Sequence, residues 1–93
     1  MKTAIILFSE AGLSIAQSLL NELPDSEIFT LRHEEGCTHI ESAGKFTAEN
    51  FNRYDAFVFI GAMGICVRTI APCVKNKYTD PAVICVDLSL IHI

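Results

Sequence analysis

The residues best placed to do chemistry lie in the stretch Phe57-Val-Phe-Ile-Gly-Ala-Met-Gly-Ile-Cys-Val-Arg68. Four bulky apolar residues read as a strand buried on both faces, and Gly61 is expected to let the backbone leave that strand in a conformation a side chain would forbid. The apolar residues Ile65, Val67, Ile70, Ala71 and Val74 then fall near helical spacing, with Pro72 where such a helix should bend or approach its end. A helix beginning at the glycine turn would aim free amide groups, and the positive end of its dipole, at the space beyond the strand's carboxyl end. The chemistry of that arrangement is anion recognition. Strand, glycine turn and helix is also the ordinary joint of an α/β protein with no ligand there. The pattern Gly61-x-x-Gly64 is neither the Gly-x-Gly-x-x-Gly of dinucleotide folds nor a P-loop with its Gly-Lys-Ser/Thr, so it implies neither cofactor.

Ser9 and Glu10 follow the first apolar run and face the same edge as the Gly61 loop if the strands are parallel. Their plainer reading is a helix cap and a first-turn acid. His33, Glu34, Glu35, Cys37 and His39 have metal-binding side chains, but their spacing matches no zinc template and a solvated polar connection accounts for them. Of the four cysteines, Cys66, Cys73 and Cys85 lie in apolar segments and read as reduced, structural residues.

The elements that must position these residues are short. Thr3 to Phe8 is a buried strand. Leu13, Ala16, Leu20 and Leu23 form a helical stripe that Pro24-Asp25 closes. Glu27 to Leu31 is a second strand, Arg32 to Gly44 a polar surface loop, and Phe46 to Tyr54 a short helix covering the sheet. Phe57 to Ile60 is the third strand, and Ala82 to Val86 the fourth, after the polar bend Lys75 to Pro81. This alternation predicts an α/β fold with a parallel, doubly covered, flavodoxin-like sheet of about four strands in the order 2-1-3-4. That order sets the loops after strands one and three side by side.

A chain of 93 residues, 51% hydrophobic, supports one small domain or part of a larger one. Seven basic residues against eleven acidic ones argue against nucleic acid or an anionic membrane as a partner. Met1-Lys2 leads straight into a strand-sized apolar run without the features of a signal peptide, so the sequence reads as a soluble, cytoplasmic protein.

Tyr54-Asp-Ala-Phe-Val-Phe-Ile-Gly-Ala-Met-Gly-Ile-Cys-Val-Arg-Thr-Ile-Ala-Pro72, followed by Lys75-Asn-Lys-Tyr-Thr-Asp-Pro-Ala-Val83, resembles the N-terminal region of the CbiG family of cobalamin-biosynthesis proteins. Lys2 to Leu23 is similar to that family's opening strand and helix. The resemblance implies the cobalt-precorrin-5A hydrolase reaction: opening of a ring-contracted δ-lactone and loss of a two-carbon fragment as acetaldehyde. It implies a cobalt-corrinoid substrate that carries its own cobalt, with no further cofactor and no metal held by the protein. Backbone N–H groups of Gly61, Ala62 and Gly64 would then receive a substrate carboxylate or a developing oxyanion, and Arg68 could grip another carboxylate with two parallel bonds. Taken without the resemblance, Arg68 is equally a solvated charge on a helix face. Lys75 and Lys77 read as a basic rim or as screened surface lysines.

Family members continue past the fourth strand into Ser-Gly-His and Gly-Gly-Ala-Asn segments and further domains, which residues 1–93 do not include, so a partnership with downstream domains is implied and no catalytic acid or base is assigned. Leu88-Ser-Leu-Ile-His-Ile93 can be encoded by CTG-TCT-CTT-ATA-CAC-ATC, a string resembling the transposon end used in sequencing libraries; the natural fragment, an incomplete domain over residues 1–87, is expected to stop near Asp87. Two other readings compete. One is a non-catalytic α/β module binding a small anionic or tetrapyrrole ligand. The other is a flavodoxin-like electron carrier, for which Ser9-Glu-Ala-Gly12 is a poor phosphate loop.

Overall fold

The computed structural model describes residues 2–8, 10–31, 36–61, 68–69 and 81–87. Their strands are β1 (Thr3–Leu7), β2 (Ser26–Thr30), β3 (Thr38–His39), β4 (Ala56–Gly61) and β5 (Ala82–Asp87), with helices α1 (Leu13–Glu22) and α2 (Ala43–Asn50) between them. All five strands belong to one sheet of order β3-β2-β1-β4-β5, and every pairing is parallel. The expected order 2-1-3-4 is therefore present as β2-β1-β4-β5, with β3 added outside β2. That short strand corrects the reading of Arg32 to Gly44 as loop throughout. Thr38 and His39 pair with Phe29 and Thr30, and the Ile40 N–H donates to Thr30 O at 2.8 Å. Two residues carry no periodicity, so only the tertiary pairing defines them.

Every residue of β1 and β4 is buried because alternate side chains feed two separate cores. Ile5, Leu7, Ile28, Val58 and Ile60 face Ala16 of α1. On the opposite face Ala4, Ile6, Phe29, Phe57 and Phe59 lie with Ala43 of α2 and with Phe51. Rings dominate this second core. Phe57 stacks between Phe51 and Phe59, with centroids 5.7 and 6.0 Å away, and Tyr54 meets Phe57 edge-on at 5.6 Å. Burial, the Glu27 charge and an opposing contribution from Arg53 leave the Tyr54 hydroxyl less acidic than an ordinary tyrosine.

Helix boundaries follow local chemistry. α2 begins at Ala43, three residues before the expected Phe46, because Ser42 caps it: the Lys45 N–H donates to Ser42 Oγ at 3.2 Å. It ends at Asn50, and Phe51 and Tyr54 cover the sheet from beyond the helix. α1 begins later than a cap at Ser9 would require. A 3-10 turn, Glu10–Gly12, precedes it, and its N-cap is Gly12 without a side-chain bond, so Glu10 is not a first-turn acid of the α-helix. At its other end Leu23 N–H donates to Leu19 O and Ser26 Oγ–H to Leu23 O, closing the helix where Pro24-Asp25 marks the break.

Candidate functional site

β1 lies between β2, reached through α1, and β4, reached by crossing back over β1. The carboxyl ends of β1 and β4 therefore flank the point where the chain reverses its direction of travel across the sheet, the usual place for a ligand crevice in open α/β folds. Leu7 pairs with Ile60, and the Phe8 N–H extends the ladder by donating to Ile60 O at 3.3 Å. One strand further out Gly61 pairs with Asp87. Phe8, Gly61 and Asp87 thus form a row across three strands at this edge, on the sheet face that α2 covers.

Gly61 is needed here for a reason other than the one read from the sequence. Among the described residues only Gly36 has positive φ, at 81°, so Gly61 does not depend on a left-handed backbone. A Cβ on Gly61 would stand 2.9 Å from Phe8 Cδ2 and 3.3 Å from Phe8 Cβ. The space that a side chain would fill is taken by the Phe8 ring, which stacks on Phe59 with centroids 6.2 Å apart and planes 21° apart. Gly12 is tighter still. A Cβ there would lie 2.5 Å from Ile60 Cγ2 and 3.1 Å from Leu7 Cδ2, so the 3-10 turn rests directly on the ends of β1 and β4.

Of the residues expected to bind substrate, the structure places Gly61 at the carboxyl end of β4 and gives Arg68 an exposed position in α-helical backbone. Ser9, Ala62 and Gly64 lie outside the described residues, as do Lys75, Lys77 and residues 88–93. Two members of the edge were not singled out as functional from the sequence. Phe8 reads as the last apolar residue of the first strand, and Asp87 as the residue that ends the fourth; only the register between strands sets them in a row with Gly61. Both are half-buried.

Among the described residues no three His, Cys, Asp or Glu side chains cluster as metal ligands, and no helix is long and apolar enough to cross a membrane. Cys37 packs against the α1-side core and Cys85 against the α2-side core. A cavity of about 200 Å³ at the start of α2 is lined by Ser42, Lys45 and Glu49 among others, with no lining residue from β1 or β4.

The family described as cobalamin synthesis G N-terminal matches residues 45–93, just over half the chain. A cobalt-precorrin-5A hydrolase of Salmonella typhimurium is 38% identical over 87 residues, covering 90% of this chain and 24% of that protein. A protein of the same name from Priestia megaterium is 28% identical over 92 residues, covering 90% of this chain and 25% of its own length. The chain thus spans about a quarter of the length of the curated relatives it matches. No solved structure matches it.

Proposed function

Because the chain belongs to the cobalamin synthesis G N-terminal family, we propose that it forms the N-terminal part of a cobalt-precorrin-5A hydrolase and supplies one wall of the substrate site. The observation that carries this is the 38% identity to the Salmonella typhimurium hydrolase over 87 residues, which covers 90% of this chain. The substrate is a cobalt corrinoid fringed with acetate and propionate carboxylates. It brings its own cobalt, and no resident metal or cofactor is assigned to the protein.

In the proposed reaction water adds to the lactone carbonyl and the resulting oxyanion collapses with cleavage of the ring C–O bond, giving a carboxylate and a freed hydroxyl. That hydroxyl then loses its proton as the adjacent C–C bond breaks, so that the two-carbon fragment leaves as acetaldehyde, the electron pair of the broken bond passes into the conjugated macrocycle and the protons go to solvent. Negative charge develops at the carbonyl oxygen, where oriented N–H donors stabilise it most. Gly61, Ala62 and Gly64 are the proposed source of such donors, with Arg68 and Ser9 as further binding groups. The parallel sheet supports this reading by setting Gly61 at the carboxyl end of a central strand. Acid–base catalysis is left to the part of the full-length protein that lies beyond this chain. A cytoplasmic location goes with the reading.

The test is acetaldehyde release from the cobalt-precorrin lactone by the complete protein expressed from the native locus, beside the 93-residue chain. Release by the complete protein and none by the chain is the expected result. Absence of release by a folded complete protein contradicts the proposed activity, and release by the chain alone contradicts the division of the site.

A further inference from the structure

We infer that Phe8 is a substrate-positioning residue, its ring a shelf for the apolar face of a tetrapyrrole-type macrocycle. This rests on the hydrolase reading above. The neighbouring side chains of β1 on the same face, Ala4 and Ile6, are completely buried, whereas Phe8 at the carboxyl end is only half-buried. Its ring is nevertheless held in place. It ends a run of near-parallel rings, Phe51, Phe57, Phe59 and Phe8, in which successive planes differ by 26°, 13° and 21°. Gly61 offers it a gap that any side chain would close, since a Cβ there would approach to 2.9 Å. A planar apolar surface is therefore presented, with its orientation already fixed, beside the point where the chain reverses across the sheet.

The chemistry of the ligand matches this surface. Carboxylates round the rim of a corrinoid suit N–H donors and guanidinium groups, but neither recognises the face of the ring system. An aromatic side chain does, through dispersion and offset stacking that depend on flatness as well as on apolar area. An aliphatic side chain of similar bulk preserves the area and loses the stacking.

The experiment is titration of the 93-residue chain with cobyrinic acid, a corrinoid with free carboxylates, followed by the corrinoid's visible absorption, for the wild type, Phe8→Leu and Phe8→Tyr. Circular dichroism establishes folding of each. The expected result is wild-type binding, a Kd raised about tenfold in Phe8→Leu, and restoration to within about twofold in Phe8→Tyr, where the ring returns. Unchanged affinity in folded Phe8→Leu overturns the role of Phe8 and leaves the hydrolase reading standing. Equal weakening in Phe8→Tyr also overturns it, because the ring would then not be what matters. Should Phe8→Leu fail to fold, Phe8→Met takes its place: a Kd raised about tenfold in the folded variant sustains the shelf, and an unchanged Kd overturns it. A folded wild type that binds no corrinoid overturns the shelf in this chain, whereas the hydrolase reading is decided separately by acetaldehyde release from the complete protein.

Discussion

Arg68 and Lys75 have the same formal charge but differ as carboxylate ligands. A guanidinium offers a planar fork that makes two parallel bonds to one carboxylate, whereas an ammonium is a compact, strongly hydrated point charge. Arg68 is exposed, so solvent screens its interactions in the isolated chain, and the gain depends on a substrate that excludes water when bound. In the complete protein Arg68→Ala is accordingly expected to lower kcat/KM by about tenfold or more, the scale of one charge-assisted bond lost, and Lys75→Ala by less than about threefold. Steady-state kinetics for both variants at one salt concentration checks this. Equal losses, or a larger loss for Lys75→Ala, would remove Arg68 from the substrate site.

At the scale of elements, the packing of the 3-10 turn on the sheet makes Gly12 the most exacting position in the first crossover. A methyl group there meets Ile60 Cγ2 at 2.5 Å and Leu7 Cδ2 at 3.1 Å, both on fully packed strands with little room to yield. Gly12→Ala is expected to cost about 1–3 kcal/mol in urea denaturation, despite alanine's better helix propensity. A neutral or stabilised variant would show that the turn does not lie against Ile60. None of this was legible in the sequence, where Gly12 is simply a residue before a helical stripe. The stripe itself and the apolar runs were legible, because Leu13, Ala16 and Leu20 repeat at helical spacing and β1 and β4 are uninterrupted runs that both cores demand. The two-residue β3, the start of α2 and the true reason for Gly61 were not. Each is settled by a partner distant in sequence or by a single cap: Thr30 O for Ile40 N–H, Ser42 Oγ for Lys45 N–H, and the Phe8 ring for the missing Cβ.

Across the whole molecule the two edges of the sheet differ in character. The amino-terminal edge is bound up in its own polar contacts. Lys2 N–H donates to Asp55 Oδ2, Asp55 N–H to Lys2 O, Thr3 N–H to Asp25 O and Ala82 N–H to Asp55 O, while Lys2 Nζ sits 4.8 Å from the centre of the Tyr54 ring. The carboxyl edge instead presents Phe8, Gly61 and Asp87 in register. An overall charge of −4 gives no general attraction for a polycarboxylate, so the proposed substrate would be recognised by local donors and surfaces at one edge. In the proposed function that edge is the carboxyl one, and backbone amide chemical shifts recorded during titration of the chain with cobyrinic acid distinguish the two. Binding at the carboxyl edge shifts Phe8, Gly61 and Asp87 along a common saturation curve while Lys2, Asp25 and Asp55 stay in place; shifts confined to Lys2, Asp25 and Asp55 would put the ligand at the amino-terminal edge and overturn the proposal.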